Sequence, residues 1–363
     1  MKKLKILLVS LAAFISGGRL HAQDPSFSQF FSSPLNVNPA LTADINGKWR
    51  IISNYRSQWI GPGNPYRTGT ISFDTKINSN SADNYIDENA RLGVGGMMMY
   101  DQAMGGAFKS NYASFNVSGN IRLKSGGGYE INGNRVRHIS KIKMDEGTGE
   151  QRLGIGLGII YGHKRLDYTK LTFGEQWTGN GFDANLPSGE AGMSTMKPYM
   201  STSAGIIYSF VGVNTNFDIG AAVFHLNKPR QSLLDDDNQF LPKRWVAHTN
   251  VESYLGERMV LDANAVYQKQ AGASYFSVGG ALGYFIPNDE KMMLVNAGLW
   301  YWSKSAIIPY VGFAFGNLQV GVTYDITISD LKNSPKRAQT FELCLILRGD
   351  GGRGNGVIPA PWK

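Results

Sequence analysis

The chain has 363 residues, 36 Lys and Arg against 28 Asp and Glu, a formal charge of +8, 44 glycines, 12% aromatic residues and one cysteine. A charge this mild and scattered gives no support for a nucleic-acid partner. A single cysteine excludes an internal disulfide, and no run after residue 22 reaches the roughly 18 apolar residues of a membrane-spanning helix.

The chain opens with Lys2, Lys3 and Lys5, an apolar stretch over 6–15, Gly17-Gly18 and Leu20-His21-Ala22. That order reads as a secretory signal peptide over 1–22, with cleavage after Ala22. Lys2, Lys3, Lys5 and Arg19 leave with it, and the formal charge falls from +8 by four, to +4. No cysteine near the cut offers a lipid anchor. Residues 23–48 follow as a separate N-terminal segment, expected on the periplasmic side. Its core, DPSFSQFFSSPLNVNPAL, does not alternate like a strand, and Pro25, Pro34 and Pro39 forbid one long helix.

From Trp49 onward the pattern has period two. Leu153, Ile155, Leu157 and Ile159 alternate with Gly154, Gly156 and Gly158. Val213, Thr215, Phe217, Ile219, Ala221 and Val223 alternate with Asn214, Asn216, Asp218, Gly220 and Ala222. Met259, Leu261, Ala263, Ala265 and Tyr267 alternate with Asp262 and Asn264; Leu318, Val320, Val322, Tyr324 and Ile326 alternate with Gln319, Gly321, Thr323 and Asp325. One face is apolar and the other polar or glycine. A soluble sandwich shows the same alternation. Strand lengths of roughly ten residues, and aromatics near strand ends, favour strands that cross hydrocarbon. Those aromatics are Trp49, Tyr55, Trp59, Tyr199, Tyr208, Trp300, Tyr301, Trp302, Tyr310 and Phe315.

Fourteen such segments are centred near residues 54, 71, 96, 116, 156, 204, 218, 249, 263, 279, 296, 310, 321 and 343. The expected fold is all-β: a transmembrane antiparallel β-barrel of the outer membrane over 49–348, closed because lipid tolerates no unpaired strand edge. Short turns near 211, 256, 288 and 316 are expected on the side of the termini. Longer loops at 225–244, 268–274, 301–305, 327–339 and 163–198 are expected opposite. Connections 76–90 and 125–150 break that rule. Phe341, Leu343, Leu345 and Leu347 face lipid in the last strand, and 349–363 is a glycine-rich tail.

Site chemistry is sparse. His21, His138, His163, His225 and His248 do not pair at metal-ligand spacing. Asp235, Asp236, Asp237 and Asn238 lack the glycine and closing glutamate of a calcium loop. GIGLG at 154–158 lies inside a strand with no following helix, so it is no phosphate cradle. No G-x-S-x-G elbow occurs, and neither enzymatic activity nor a cofactor is expected. Polar residues are expected to line the lumen: Arg50, Asn54, Arg56, Gln58, Asn214, Asn216, Asp218, Asp262, Asn264, Asp325 and Glu342. A fourteen-stranded barrel is too wide for its own side chains to fill, so it holds water, a plug or a guest.

The N-terminal cluster resembles the PorP/SprF family of type IX secretion system membrane proteins. The matching residues are Gln23, Asp24, Pro25, Phe27, Gln29, Phe30, Pro34, Leu35, Asn38, Pro39 and Ala40, then Arg56, Gln58 and Trp59. Segments at 91–96, 224–229, 299–313, 320–331 and 341–347 are similar too. Trp302 stands where relatives often carry arginine, and the chain ends in VIPAPWK where many end in a cysteine-proline-arginine-aromatic pattern. The resemblance implies an outer-membrane barrel of type IX secretion or gliding motility. It would assist secretion or surface anchoring of a large secreted adhesin-like protein, in contact with periplasmic components and outer-membrane lipid. Asp24, Pro25, Phe27, Gln29, Phe30, Asn38, Pro39, Arg56, Gln58 and Trp59 are then the partner-binding candidates. Two roles fit residues 23–48: a plug at the periplasmic mouth that helps form a docking surface, or a passive leader that caps the first strand. A passive channel or small-molecule transporter is the alternative function.

Overall fold

The computed structural model describes residues 24–45, 47–77, 90–124, 149–189, 196–212, 214–232, 238–256, 258–286 and 293–349. The signal peptide, the acidic run at 235–237, most of both connections at 76–90 and 125–150, and the tail from 350 lie outside them. Fourteen strands run in chain order: β1 Trp49–Ile60, β2 Tyr66–Lys76, β3 Ala90–Ala103, β4 Phe108–Lys124, β5 Glu150–Leu166, β6 Tyr199–Val211 and β7 Thr215–Phe224. The others are β8 Arg244–Leu255, β9 Met259–Gln270, β10 Ala273–Ile286, β11 Met293–Trp302, β12 Ala306–Phe315, β13 Leu318–Thr327 and β14 Gln339–Gly349. Each pairs antiparallel with its chain neighbours, and β1 pairs with β14 to close the barrel. Closure leaves no edge, as hydrocarbon requires.

The alternation sets the two faces. Arg50, Asn54, Arg56, Asp218, Asp262, Asn264, Asp325 and Glu342 point inward and are buried. Ile71, Phe115, Ile155, Val311 and Leu345 point outward with 42–60% of their surface exposed. An apolar belt encircling a closed barrel is a lipid-facing surface. Among the described residues no helix is long and apolar enough to cross a membrane.

Two expected loops are tight turns instead. Ala271 and Gly272 have φ of 52° and 84° and alone join β9 to β10, because a two-residue type I′ turn needs positive φ at both positions. Ser303, Lys304 and Ser305 join β11 to β12, with Lys304 at φ 59° absorbing the twist of a three-residue hairpin. The connections between β5 and β6, β7 and β8, and β13 and β14 are long and share the rim opposite the barrel's ends. We call that the far rim; β1 begins and β14 ends at the terminal rim.

Five expected girdle aromatics also differ. Tyr199, Trp300 and Tyr310 are 5%, 1% and 2% exposed and face the lumen, as Trp302 does. On β11 and β12 the even positions point inward, so Trp300 and Tyr310 pack with Phe30 and Val37 of the N-terminal segment. Trp59 sits at a register irregularity near the end of β1, with φ 61°. Tyr55, Tyr301 and Phe315 remain on the outer face.

Candidate functional site

Residues 24–45 fill the barrel. Three prolines break the segment into short pieces: 3-10 turns at Phe30–Ser32 and Pro39–Leu41, and one α-turn, α1, at Pro34–Val37. Pro34 and Pro39 each open a turn, where a missing N–H costs nothing. Asn38 caps the second 3-10 turn, its Oδ1 accepting from Ala40 N at 2.8 Å. Phe27, Ser28, Gln29, Leu35, Val37, Asn38, Ala40, Thr42 and Ile45 are all at most 4% exposed.

The path runs from rim to rim. At the far rim Asp24 N donates to Gln270 Oε1 at 2.8 Å, and its carboxylate meets His225 Nε2 at 2.8 Å and Arg244 Nε at 3.2 Å. Burial raises the Asp24 carboxyl pKa, but His225, Arg244 and Lys164 outweigh it and hold the group below the usual carboxylate range. Arg244 also donates to Asn36 O at 3.0 Å, so one wall arginine ties both ends of the segment's first loop.

The segment then crosses to β1, β13 and β14. Ser28 N and Gln29 N donate to Glu342 at 2.8 and 2.9 Å, and Ser28 Oγ donates to Asp325 at 2.7 Å. Arg56 completes the cluster, donating to Ser28 Oγ at 2.8 Å and Asp325 at 3.1 Å, with Glu342 at 3.6 Å. The ring of Trp302 stands 4.9 Å from the Arg56 guanidinium. Phe31 packs against Trp300 and Tyr310 at 4.9 and 5.7 Å between ring centres. Asn54 donates to Ser32 O at 2.9 Å.

Asn38 then reaches Ile206 O and His248 Nε2, each at 3.0 Å. Ser118 Oγ donates to Thr42 O at 2.6 Å, and Ala43 N donates to Asp74 at 2.7 Å. Asp74 is held by a bidentate pair with Arg50 at 2.7 and 3.1 Å. Lys48 N donates to Gly349 O at the terminal rim, where β1 begins.

Wall glycines make the trough. A Cβ at Gly156 would strike the backbone of Pro39 and Ala40, and one at Gly205 would strike Asn38. Gly93 and Gly95 lie under Thr42, and Gly220 under Asn38. Inward-facing glycine in a strand marks the close approach of another backbone.

A cavity of about 60 Å³ lies between Phe30, Phe31 and Leu41 of the segment and Asp218, His248 and Asn264 of the wall. It takes about four waters at ~15 Å³ of such volume each. Ser201 Oγ, His225 Nδ1 and Asp24 form a hydrogen-bonded chain, 2.7 Å and 2.8 Å in its two links. Ser201 is 0% exposed. Among the described residues no group of three His, Cys, Asp or Glu is placed to hold a metal.

The structure brings most of the sequence candidates into this seat. Asp24, Gln29, Asn38 and Arg56 make the bonds above; Phe27, Phe30 and Pro39 pack inside. Pro25 O accepts from Asn36 at 3.3 Å. Gln58 and Trp59 stand apart at the far rim, where Trp59 packs on Tyr66 at 5.0 Å. Sequence reasoning missed His225, Arg244, His248 and Asp74. Only the glycines at 93, 95, 156, 205 and 220 signalled the approach.

The family described as type IX secretion system membrane protein PorP/SprF matches residues 20–347. No curated protein matches in sequence. Among solved structures, the Ralstonia pickettii toluene transporter TbuX is similar with a TM-score of 0.43 and 11% identity, over 86% of this chain and 92% of that one. The Pseudomonas putida toluene transporter TodX gives 0.41 and 10%, over 90% and 94%. A Pseudomonas aeruginosa FadL homologue gives 0.40 and 12%, over 91% and 95%.

Proposed function

The chain belongs to the type IX secretion system membrane protein PorP/SprF family, and from that premise we propose a docking function for its barrel. It assists secretion or surface anchoring of a large secreted adhesin-like protein, together with periplasmic type IX components, and carries out no catalysis. The supporting observation is the filled lumen: residues 24–45 occupy it through buried bonds from Asp24 to Ala43. A diffusion channel needs an open path, whereas a scaffold needs a fixed one. The N-terminal candidates Asp24, Pro25, Phe27, Gln29, Phe30, Asn38, Pro39 and Arg56 serve partners by holding that seat, and Gln58 and Trp59 offer a direct contact at the far rim.

The far rim also offers a protein-sized surface. After β5 the loop carries Trp177 and Phe182, 53% and 54% exposed and packed 4.9 Å apart. Exposed paired aromatics on an ordered loop suit a protein partner. The test is affinity capture from outer membranes through a tag placed beside Gly179 in that loop. Recovery of one large secreted protein with periplasmic partners, reduced by Trp177→Ser with Phe182→Ser, supports docking. A chain that captures neither and conducts in a planar bilayer as an open, voltage-stable pore refutes it.

A further inference from the structure

The outer face of β2 to β5 breaks the apolar belt at the far rim. Arg67 pairs across the sheet with Gln102, Gln102 with Lys109, and Lys109 with Arg165. All four occupy outward positions of their strands, so they form one row about 14 Å wide at a strand spacing of ~4.8 Å. The next outward row is polar too: Tyr100, Asn111 and His163 in successive register. Tyr100 donates its hydroxyl to Gln102 Oε1 at 2.9 Å, orienting that amide.

Lys170, from the 3-10 turn after β5, joins the row. A Cβ on Gly106 would lie 3.8 Å from Gln102 Oε1 and 4.0 Å from both Lys109 Cε and Lys170 Nζ. Two cations thus converge over the turn between β3 and β4. Asp167 is the acidic group beside them; it pairs with Lys170 at 3.7 Å and feels Arg165. Lys109 directly opposite Arg165 is a like-charge cross-strand pair, an arrangement that costs stability unless an anion joins it.

The level of the row names the anion. The rows just beneath are Ile71, Met98, Ala113 and Tyr161, then Phe73, Gly96, Phe115 and Ile159. Ile71, Met98 and Phe115 are 54%, 66% and 58% exposed, as lipid-facing side chains are. Two outward steps on a strand tilted by 35–45° lower the level by about 10 Å, so the cations stand at headgroup height above acyl chains. β1 begins and β14 ends at the opposite rim, and three of the five connections longer than ten residues share this one, the side that faces outward in an outer-membrane barrel of even strand number.

We infer that Arg67, Lys109, Arg165 and Lys170 bind the phosphate of a phosphorylated glycolipid in the outer leaflet. The arginines supply forked donors, Lys109 and Lys170 supply point charges, and Gln102 and Asn111 offer hydrogen bonds to the sugar. The acyl chains lie on Met98, Phe115 and Ile159.

The test uses the full-length mature chain in mild detergent, with bisphosphorylated lipid A, the same glycolipid with its phosphates removed, and phosphatidylglycerol. Native mass spectrometry reads retention, and thermal melting reads stabilisation. The expected result is one retained bisphosphorylated lipid per chain, at least tenfold tighter than either comparison lipid. Lys109→Gln with Arg165→Gln removes that preference, Lys109→Arg with Arg165→Lys keeps it, and Lys269→Gln, on the outer face of β9, leaves it unchanged. Equal retention of the dephosphorylated glycolipid overturns the phosphate site. Equal retention of phosphatidylglycerol overturns the glycolipid assignment in favour of a general anionic surface. If the double variant does not reach the native gel mobility of the folded barrel, Arg67→Gln alone carries the test, and unchanged lipid preference in it overturns the site.

Discussion

Replacing Arg56 with methionine is expected to unseat the N-terminal segment without opening the barrel wall. Arg56 is 2% exposed and is the counter-ion for both Asp325 and Glu342, which in turn hold Ser28 and Gln29. Methionine keeps the volume and leaves two buried carboxylates side by side. Removing one partner from a buried ion cluster costs about 3–5 kcal/mol. That cost disappears when the segment lifts and water reaches the carboxylates, so it favours the lifted state. At 1.36 kcal/mol per tenfold, the lifted population rises by about two hundred- to several thousandfold. Cys344 reports it directly. This lone cysteine faces inward on β14, is 1% exposed, and lies in register with Asn54, which donates to Ser32 O of the segment. Its labelling by a small charged thiol reagent tracks the open population when reclosing is fast. Arg56→Met with Asp325→Asn and Glu342→Gln, which neutralises the cluster, is expected to label within about tenfold of the parent. Labelling of Arg56→Met within tenfold of the parent, in a barrel that keeps its folded gel mobility, would refute the reasoning.

The other predictions probe the trough, the far-rim latch and the lipid face. Gly156→Ala places a methyl against the backbone of Pro39 and Ala40, and overpacking of about 1–3 kcal/mol should speed Cys344 labelling about 5- to 150-fold. Gly174→Ala, with open space around it, should leave the rate unchanged. Asp24 has a lowered pKa when seated, so its contribution is full above the ordinary carboxylate value of about 3.9 and is lost as pH falls below it. Bilayer conductance bursts should therefore grow between about pH 4 and pH 3, and in Asp24→Asn they should be frequent and flat across that window. Val311→Arg sits mid-strand on the outer face of β12 and should cost about 2–4 kcal/mol of folding into vesicles, read by urea titration. A cost near zero there would place that face in water.

The wall was readable because its rule is local. Each strand declares its faces by alternation, and all fourteen expected centres fall inside observed strands. Turn lengths were less readable: Ala271-Gly272 takes positive φ at both positions without the Asn-Gly signature that would announce it. The aromatics at 199, 300, 302 and 310 pass for girdle residues until parity along the strand is counted, and parity sends them inward. The seat was hidden for a different reason. A segment without a period carries no record of which wall it touches. Ser28 meets Glu342 across 314 positions, and Asp24 meets His225 across 201. Those meetings exist only once the distant strands stand around the segment.

A lumen filled this way has a consequence for how it can empty. An apolar stopper leaves the wall exposing greasy surface, and the hydrophobic effect opposes every step of withdrawal. Here much of the grip is between ions and backbone groups: Asp74 on Ala43, Glu342 on Ser28 and Gln29, and Arg244 on Asp24 and Asn36. Water can replace each of those partners, so the polar share of the grip is returned as the lumen hydrates. The glycines that admit the segment leave no side chain behind to fill the gap. What resists is the apolar knot of Phe30, Phe31 and Val37 against Trp300, Tyr310 and Phe224. Phe31→Ser should therefore act in concert with Arg56→Met: if the two grips are independent, their effects on Cys344 labelling multiply, and a double variant no faster than Arg56→Met alone would mean that the aromatic knot releases only after the ionic cluster has already let go.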